Sequence, residues 1–147
     1  MGATDLDFVR ALAEANGHRA VVSTSRADGS IQATLVSAGV MPHPVTGRDV
    51  VALVAYPGVK VRNVRARPRA TVTFVEGGRW VSVEGAADLA GPDDALEGLD
   101  PSAVPQLLRD VFTAAGGTHD DWDEYDRVMA QEGRVAVLIA PDRLYTN

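Results

Sequence analysis

Apolar residues recur along this chain with two spacings, and the spacing changes at clusters of Gly, Pro, Asp and Asn. In residues 4–16, Phe8, Leu12 and Ala15 share one face of a helix. Thr4 and Asp7 have capping-box spacing, and Gly17 supplies a stop. The spacing then falls towards two. Residues 18–26 (HRAVVSTSR) and 31–42 (IQATLVSAGVMP) read as strands on either side of Asp28-Gly29, a hairpin signal. Residues 42–49 (PHPVTGRD) are a loop by their Pro and Gly content. Residues 50–56 (VVALVAY) are β-branched and apolar enough for a buried strand.

Pro57 and Gly58 break that strand, and a helix follows from Val59 to Arg67, ended by Pro68. Residues 70–76 (ATVTFVE) and 79–90 (RWVSVEGAADLA) bracket Gly77-Gly78 as a second hairpin. Residues 92–116 read as helical, interrupted by Pro101 and Pro105. Residues 118–133 read as a further helix, with Thr118 and Asp121 in capping-box spacing and an acidic first turn that suits a helix N-terminus. Trp122, Tyr125 and Met129 line one of its faces, and residues 134–141 are a last strand. About six strands joined by hairpins rather than regular βαβ units predict an α+β fold. The expected architecture is a mainly antiparallel six-stranded sheet, closed or partly closed into a barrel, with flanking helices. No repeat, low-complexity tract or linker interrupts residues 1–147, which read as one domain.

Composition narrows the possibilities. A hydrophobic fraction of 46% supports a sizeable core. No apolar run approaches the roughly 20 residues that span a bilayer, and the N-terminal residues carry no apolar signal stretch. Leu6 stands where a myristoylation motif has Ser or Thr. The expectation is a cytoplasmic protein without membrane attachment. The chain has no Cys, which excludes disulfides, thiolate metal sites and cysteine nucleophiles. A net charge of −6 argues against non-specific nucleic-acid binding.

Most familiar chemistries find no motif. His18, His43 and His119 are scattered, and surface roles are expected for the last two. Asp120, Asp121, Asp123 and Glu124 lack the alternating ligands and central Gly of a calcium loop, and helix capping accounts for them. No metal site is expected. Neither a nucleophile elbow, a phosphate loop nor a dinucleotide fingerprint occurs. Ser23, Ser25 and Ser37 alternate with apolar residues as ordinary strand positions. No side chain stands out as a catalytic acid or base.

One segment does stand out. In YPGVKVRNVRARPRA, residues 56–70, five of the chain's 14 Lys and Arg residues fall between Lys60 and Arg69. At about 100° per residue, Lys60, Asn63, Val64 and Arg67 share a face, and Val61 beside them can dock on the sheet. Gly58 lets a ligand approach the backbone at the helix start. The unpaired N–H groups there, with Lys60 in the first turn, suit a phosphate. The alternative is a short amphipathic helix with a solvated basic face.

VVALVAYPGVKVRNVRARPRATV resembles a segment of the split β-barrel flavin-binding superfamily, the pyridoxamine 5'-phosphate oxidase-like proteins. There a strand leads through Ser-Arg-Lys-x-x-Gln into a helix closed by proline. RWVSVEGAADL is similar to the superfamily's next strand, an aromatic-x-x-x-x-Gly pattern. HDDWDEYDRVMAQEGRVAVLIAPDRLY resembles the actinobacterial branch that uses the deazaflavin coenzyme F420 in place of FMN. The resemblance runs from about residue 8 to 145. It departs from the oxidases where Gly58 and Val59 replace the motif's Ser and Arg, which weakens the case for FMN; Lys60 is retained and Asn63 stands for the Gln. No Arg-containing substrate tail follows, so pyridoxamine-phosphate oxidation itself is not expected.

The resemblance implies a homodimer with a cofactor groove between subunits. Lys60 and Asn63, joined by Arg62, would hold the phosphate end. Gln32, Thr34 and Val36 would face the ring, with Leu53 and Ala55 on the neighbouring strand and Trp80 near the groove, reaching from the partner or packed as a large core aromatic. The implied activity is hydride transfer from reduced F420 to a small electron-poor acceptor such as an activated alkene, imine or unsaturated lactone. Two alternatives stay open: an FMN-dependent oxidase or reductase, and a non-catalytic carrier of F420 or of another anionic ring such as haem.

Overall fold

The computed structural model describes residues 5–147. Thr4 lies outside them. The first helix, α1 (Leu6–Ala15), is capped by Asp5, whose carboxylate accepts from the Phe8 amide at 3.0 Å. Its buried stripe is Val9, Leu12 and Ala13, while Phe8 is half-buried and Ala15 exposed, so the helix is turned relative to the predicted face. The strands and helices that follow are β1 (Arg19–Ser25), β2 (Ile31–Ser37), β3 (Gly39–Pro42), β4 (Asp49–Ala55) and α2 (Val59–Ala66). Then come β5 (Arg69–Glu76), β6 (Arg79–Ala90), a 3-10 turn (Pro101–Ala103), α3 (Val104–Ala114), α4 (Trp122–Glu132), β7 (Val135–Ile139) and β8 (Arg143–Tyr145).

All pairings are antiparallel, in the order β2-β1-β5-β6-β7-β4-β3. Because β2 and β3 are halves of one bent strand, this order closes on itself as a six-stranded barrel, with β8 added outside it on β6. The segment 31–42 was expected as one strand. It divides at Ala38, which is fully buried and donates its N–H to the His18 carbonyl at 2.9 Å, so that β2 pairs with β1 and β3 with β4. A second strand is shared in the same way. Residues 69–76 of β5 pair with 79–86 of β6, whereas 87–90 pair with β7. Gly85 lies at this corner, where an added Cβ would sit 1.7 Å from the Ala140 carbonyl oxygen.

Two apolar layers result. The barrel interior packs Leu53, Val72, Phe74, Val83 and Ile139 against Leu12 of α1 and Val61 and Val64 of α2. Outside, Val50, Ala52 and Leu138 meet Leu107, Leu108 and Val111 of α3 and Tyr125 of α4. Strands β4 and β7 are therefore buried on both faces, which explains their continuous apolar sequences.

Residues 92–100 are not helical. Gly91 and Asp94 form an isolated bridge, and helix begins only at the 3-10 turn, where Pro101 and then Pro105 occupy first-turn positions that need no N–H donor. The cap of α4 is Asp121, which accepts from the Glu124 amide at 3.1 Å, so Thr118 precedes the helix. Gly133 ends it in the left-handed conformation at φ 63°. Among the described residues no helix is long and apolar enough to cross a membrane.

Candidate functional site

The five basic residues from Lys60 to Arg69 have different fates. Arg65 forms a bidentate pair with Asp94 at 2.8 and 2.7 Å, and Arg69 pairs with Asp142 at 3.1 Å. Arg67 donates to the Ser25 carbonyl at 2.9 Å and to Asn63 Oδ1 at 3.3 Å. Among the described residues Lys60 and Arg62 have no acidic partner; Arg62 is exposed, and Lys60 is half-buried in the wall of a cleft.

That cleft, of about 300 Å³, follows from the bend at Ala38. Beyond the bend β3 pairs with β4, but before it β2 does not, and the gap opens between Leu35–Ser37 and Val54–Tyr56. Lys60 enters from α2, Phe112 from α3, Tyr125 and Met129 from α4, and Arg134 from the turn into β7. No Asp or Glu belongs to the wall.

Electrostatics distinguishes the two cations. Burial draws the Lys60 ammonium below the ordinary lysine range, and the positive charge of Arg134 adds to the effect. Arg134 is placed by the left-handed turn at Gly133. Its Nε donates to Glu132 at 3.1 Å, and its guanidinium lies over the Tyr56 ring at 3.5 Å. Its terminal amino groups have no hydrogen-bond partner among the described residues. Tyr125 donates to the Leu108 carbonyl at 2.9 Å, and burial pushes its phenol up to about 12. It is a structural donor rather than a ready acid. The cleft is thus apolar, lined by aromatic groups, and positive at one end.

The predicted residues divide. Lys60, Val36 and Ala55 meet in the cleft. Gly58 opens α2 with extended backbone at φ 169°, and an added Cβ would meet nothing within 4 Å, so open space rather than strain surrounds it. Asn63 is buried and points elsewhere. Its amide donates to Thr24 Oγ1 at 3.0 Å and to Gln32 Oε1 at 3.4 Å, tying α2 to β1 and β2. Thr34 lies on the same side of β2 as Gln32, and its buried Oγ1 has no partner among the described residues. Leu53 is fully buried in the barrel core. Trp80 is not core. It lies half-buried on the barrel's outer surface, edge-on to Tyr145 with ring centroids 6.2 Å apart.

Sequence reasoning missed Arg134, Tyr56 and Phe112 and treated Tyr125 and Met129 only as a packing face. One signal was available for Arg134: a cation between a helix-stopping Gly and a fully apolar strand cannot enter the core and must face a seam. His43 also departs from its expected surface role. It is buried, donates from Nε2 to Asp88 at 2.9 Å, and accepts at Nδ1 from the amides of Val45 and Thr46, which organises the loop before β4.

Beside the cleft, the outward residues of β2 and its neighbours form an apolar surface. Ile31 is 59% and Leu35 71% exposed, with Val21 and Val75 also exposed. Leu35 belongs both to this surface and to the cleft wall.

The family model described as pyridoxamine 5'-phosphate oxidase matches residues 8–146. A conserved hypothetical protein of Mycobacterium tuberculosis superposes with a TM-score of 0.64 at 21% identity, over 92% of this chain and 81% of that one. A pyridoxamine 5'-phosphate oxidase-related, FMN-binding protein of Nostoc punctiforme gives 0.65 at 10% identity, over 95% and 81%. A protein described as an F420 reductase gives 0.58 at 16% identity, over 88% and 90%. At these identities the likeness is one of fold.

Proposed function

The chain belongs to the pyridoxamine 5'-phosphate oxidase family, which includes flavin-binding oxidoreductases, and from that premise we propose that it reduces small electron-poor molecules with the deazaflavin coenzyme F420. One observation carries the reading: Lys60 and Arg134 converge on an apolar cleft that has no acid in its wall. A planar ring with an anionic side chain fits that combination. Lys60, the open start of α2 and exposed Arg62 would take the phosphate end, while Val36, Ala55 and Tyr56 would pack the ring. Gly58 and Val59, standing where the oxidases have Ser and Arg, favour the deazaflavin over FMN.

Bound there, the reduced coenzyme supplies a hydride to an activated alkene, imine or unsaturated lactone. The chain's own contribution is positioning and exclusion of water. Val54, Phe112 and Met129 provide the dry wall, and Tyr125 stays protonated and bound to backbone. A second copy of the chain would cover the apolar surface around Leu35 and complete the cleft, bringing its Trp80 within the same interface.

The test is a fluorescence titration of the apo-protein and of Lys60→Ala with F420 and with FMN. The expected result is tight F420 binding, weak FMN binding, and at least a tenfold loss in the variant, about 1.4 kcal/mol, with unchanged circular dichroism. An FMN preference would transfer the protein to the flavin users. Unchanged affinity in Lys60→Ala would remove the phosphate site. Turnover of an acceptor by the reduced coenzyme separates an enzyme from a carrier.

A further inference from the structure

A second cavity, of about 250 Å³, lies behind the first, between the loop that follows β6 and the helices α3 and α4. Pro92, Val104, Pro105, Leu108 and Met129 give it an apolar wall. Only two charged residues line it, Asp126 and Arg134. They differ in what remains available. Both oxygens of Asp126 are taken by Arg109, at 2.9 and 2.5 Å. Among the described residues Arg134 is engaged only through Nε, by Glu132, and by its stacking on Tyr56; its side chain is 17% exposed. The charge of Asp126 is thus met by Arg109, and Arg134 lines the cavity as a guanidinium whose terminal amino groups have no hydrogen-bond partner among the described residues, a fork that matches a carboxylate.

We infer that this cavity binds a small apolar carboxylate, with its hydrocarbon body against Val104, Leu108 and Met129 and its carboxylate on the terminal amino groups of Arg134. The volume is below that of a drug-sized ligand site and suits a single ring or short branched chain. Arg134 and Met129 also line the first cleft, so the two sites share a wall and their occupants interact through one cation. The inference does not depend on which cofactor the first cleft takes, and it is tested on the full chain without cofactor.

The experiment follows backbone amide signals by two-dimensional NMR during titration with benzoate, and with benzyl alcohol as its uncharged counterpart. Benzoate is expected to shift Leu108, Ala130 and Arg134 saturably, and benzyl alcohol to bind at least fivefold more weakly. Arg134→Gln should lose that preference. Ala130 is exposed and lines the cavity, so Ala130→Phe should fill it and abolish the benzoate shifts while the protein stays folded. Equal binding of the two probes, benzoate binding unchanged in either variant, or shifts confined to Val36, Ala55 and Lys60 of the first cleft would each overturn the inference.

Discussion

At the scale of single residues, the candidate site depends on a lysine held against its preference. Burial and the charge of Arg134 both oppose the Lys60 ammonium, so its pKa in the fold lies below that in the unfolded chain. The unfolded state then binds the proton more readily. The resulting destabilisation is fully present below the folded pKa and fades as pH rises towards the unfolded value. Lys60→Met is therefore expected to raise the neutral-pH melting temperature, and the gap from wild type should close in alkaline buffer. Equal melting temperatures at pH 7 would show that the ammonium is fully solvated. The sequence singled out Lys60 because a helix start and its basic residue are adjacent in the chain, and the structure puts its side chain in the cleft wall. It misplaced Asn63 because helical periodicity fixes which residues share a face, but not which edge of that face meets the neighbouring strand. Val61 and Val64 enter the core and carry Asn63 inward with them, onto Thr24 and Gln32. Arg134 was missed for another reason: its position after Gly133 marks it as facing a seam, but which seam depends on elements far apart in sequence that the fold brings together.

At the scale of elements, apolar patterning, alternating or continuous, was enough to find five of the six barrel strands as single units, and hairpin turns were enough to pair β1 with β2 and β5 with β6, but not to place β5 beside β1 or β7 between β6 and β4. The sixth, residues 31–42, has its break at Ala38-Gly39, two small residues that do not interrupt the apolar pattern. Strand β8 has only three residues and gave no periodic signal. Glycines mark the corners more clearly than the pattern does. Gly85→Ala would force a methyl into the Ala140 carbonyl, where only backbone movement relieves the contact. Its urea midpoint should fall, corresponding to about 1–3 kcal/mol or more of overpacking. Gly58→Ala meets open space in extended backbone, and its midpoint should match wild type within error. If the two variants unfold alike, the close approach at Gly85 does not exist in solution.

At the scale of the whole molecule, the proposed second copy would cover an apolar surface that this acidic chain leaves exposed. Ile31, Leu35, Val21 and Val75 stand out from the barrel, whereas the outer surfaces of β4 and β7 are covered by α3 and α4. Wild type is expected to sediment as a dimer and Ile31→Arg as a monomer, with weaker coenzyme binding because the cleft wall at Leu35 is left uncovered. A monomeric wild type would refute the proposed role of this surface. The barrel's order of assembly has a consequence for how the chain is made. Strand β7 follows both β4 and β6 in the chain, yet it lies between them and pairs with both. A nascent chain that has not reached residue 139 therefore carries two open edges, and closure must await contacts between residues as far apart as Val51 and Ile139, the kind that make folding slow. Arg134 emerges just ahead of that strand. The cation in the cleft wall arrives with the strand that closes the barrel, so a nascent chain that stops short of residue 139 has neither the closed barrel nor the finished cleft.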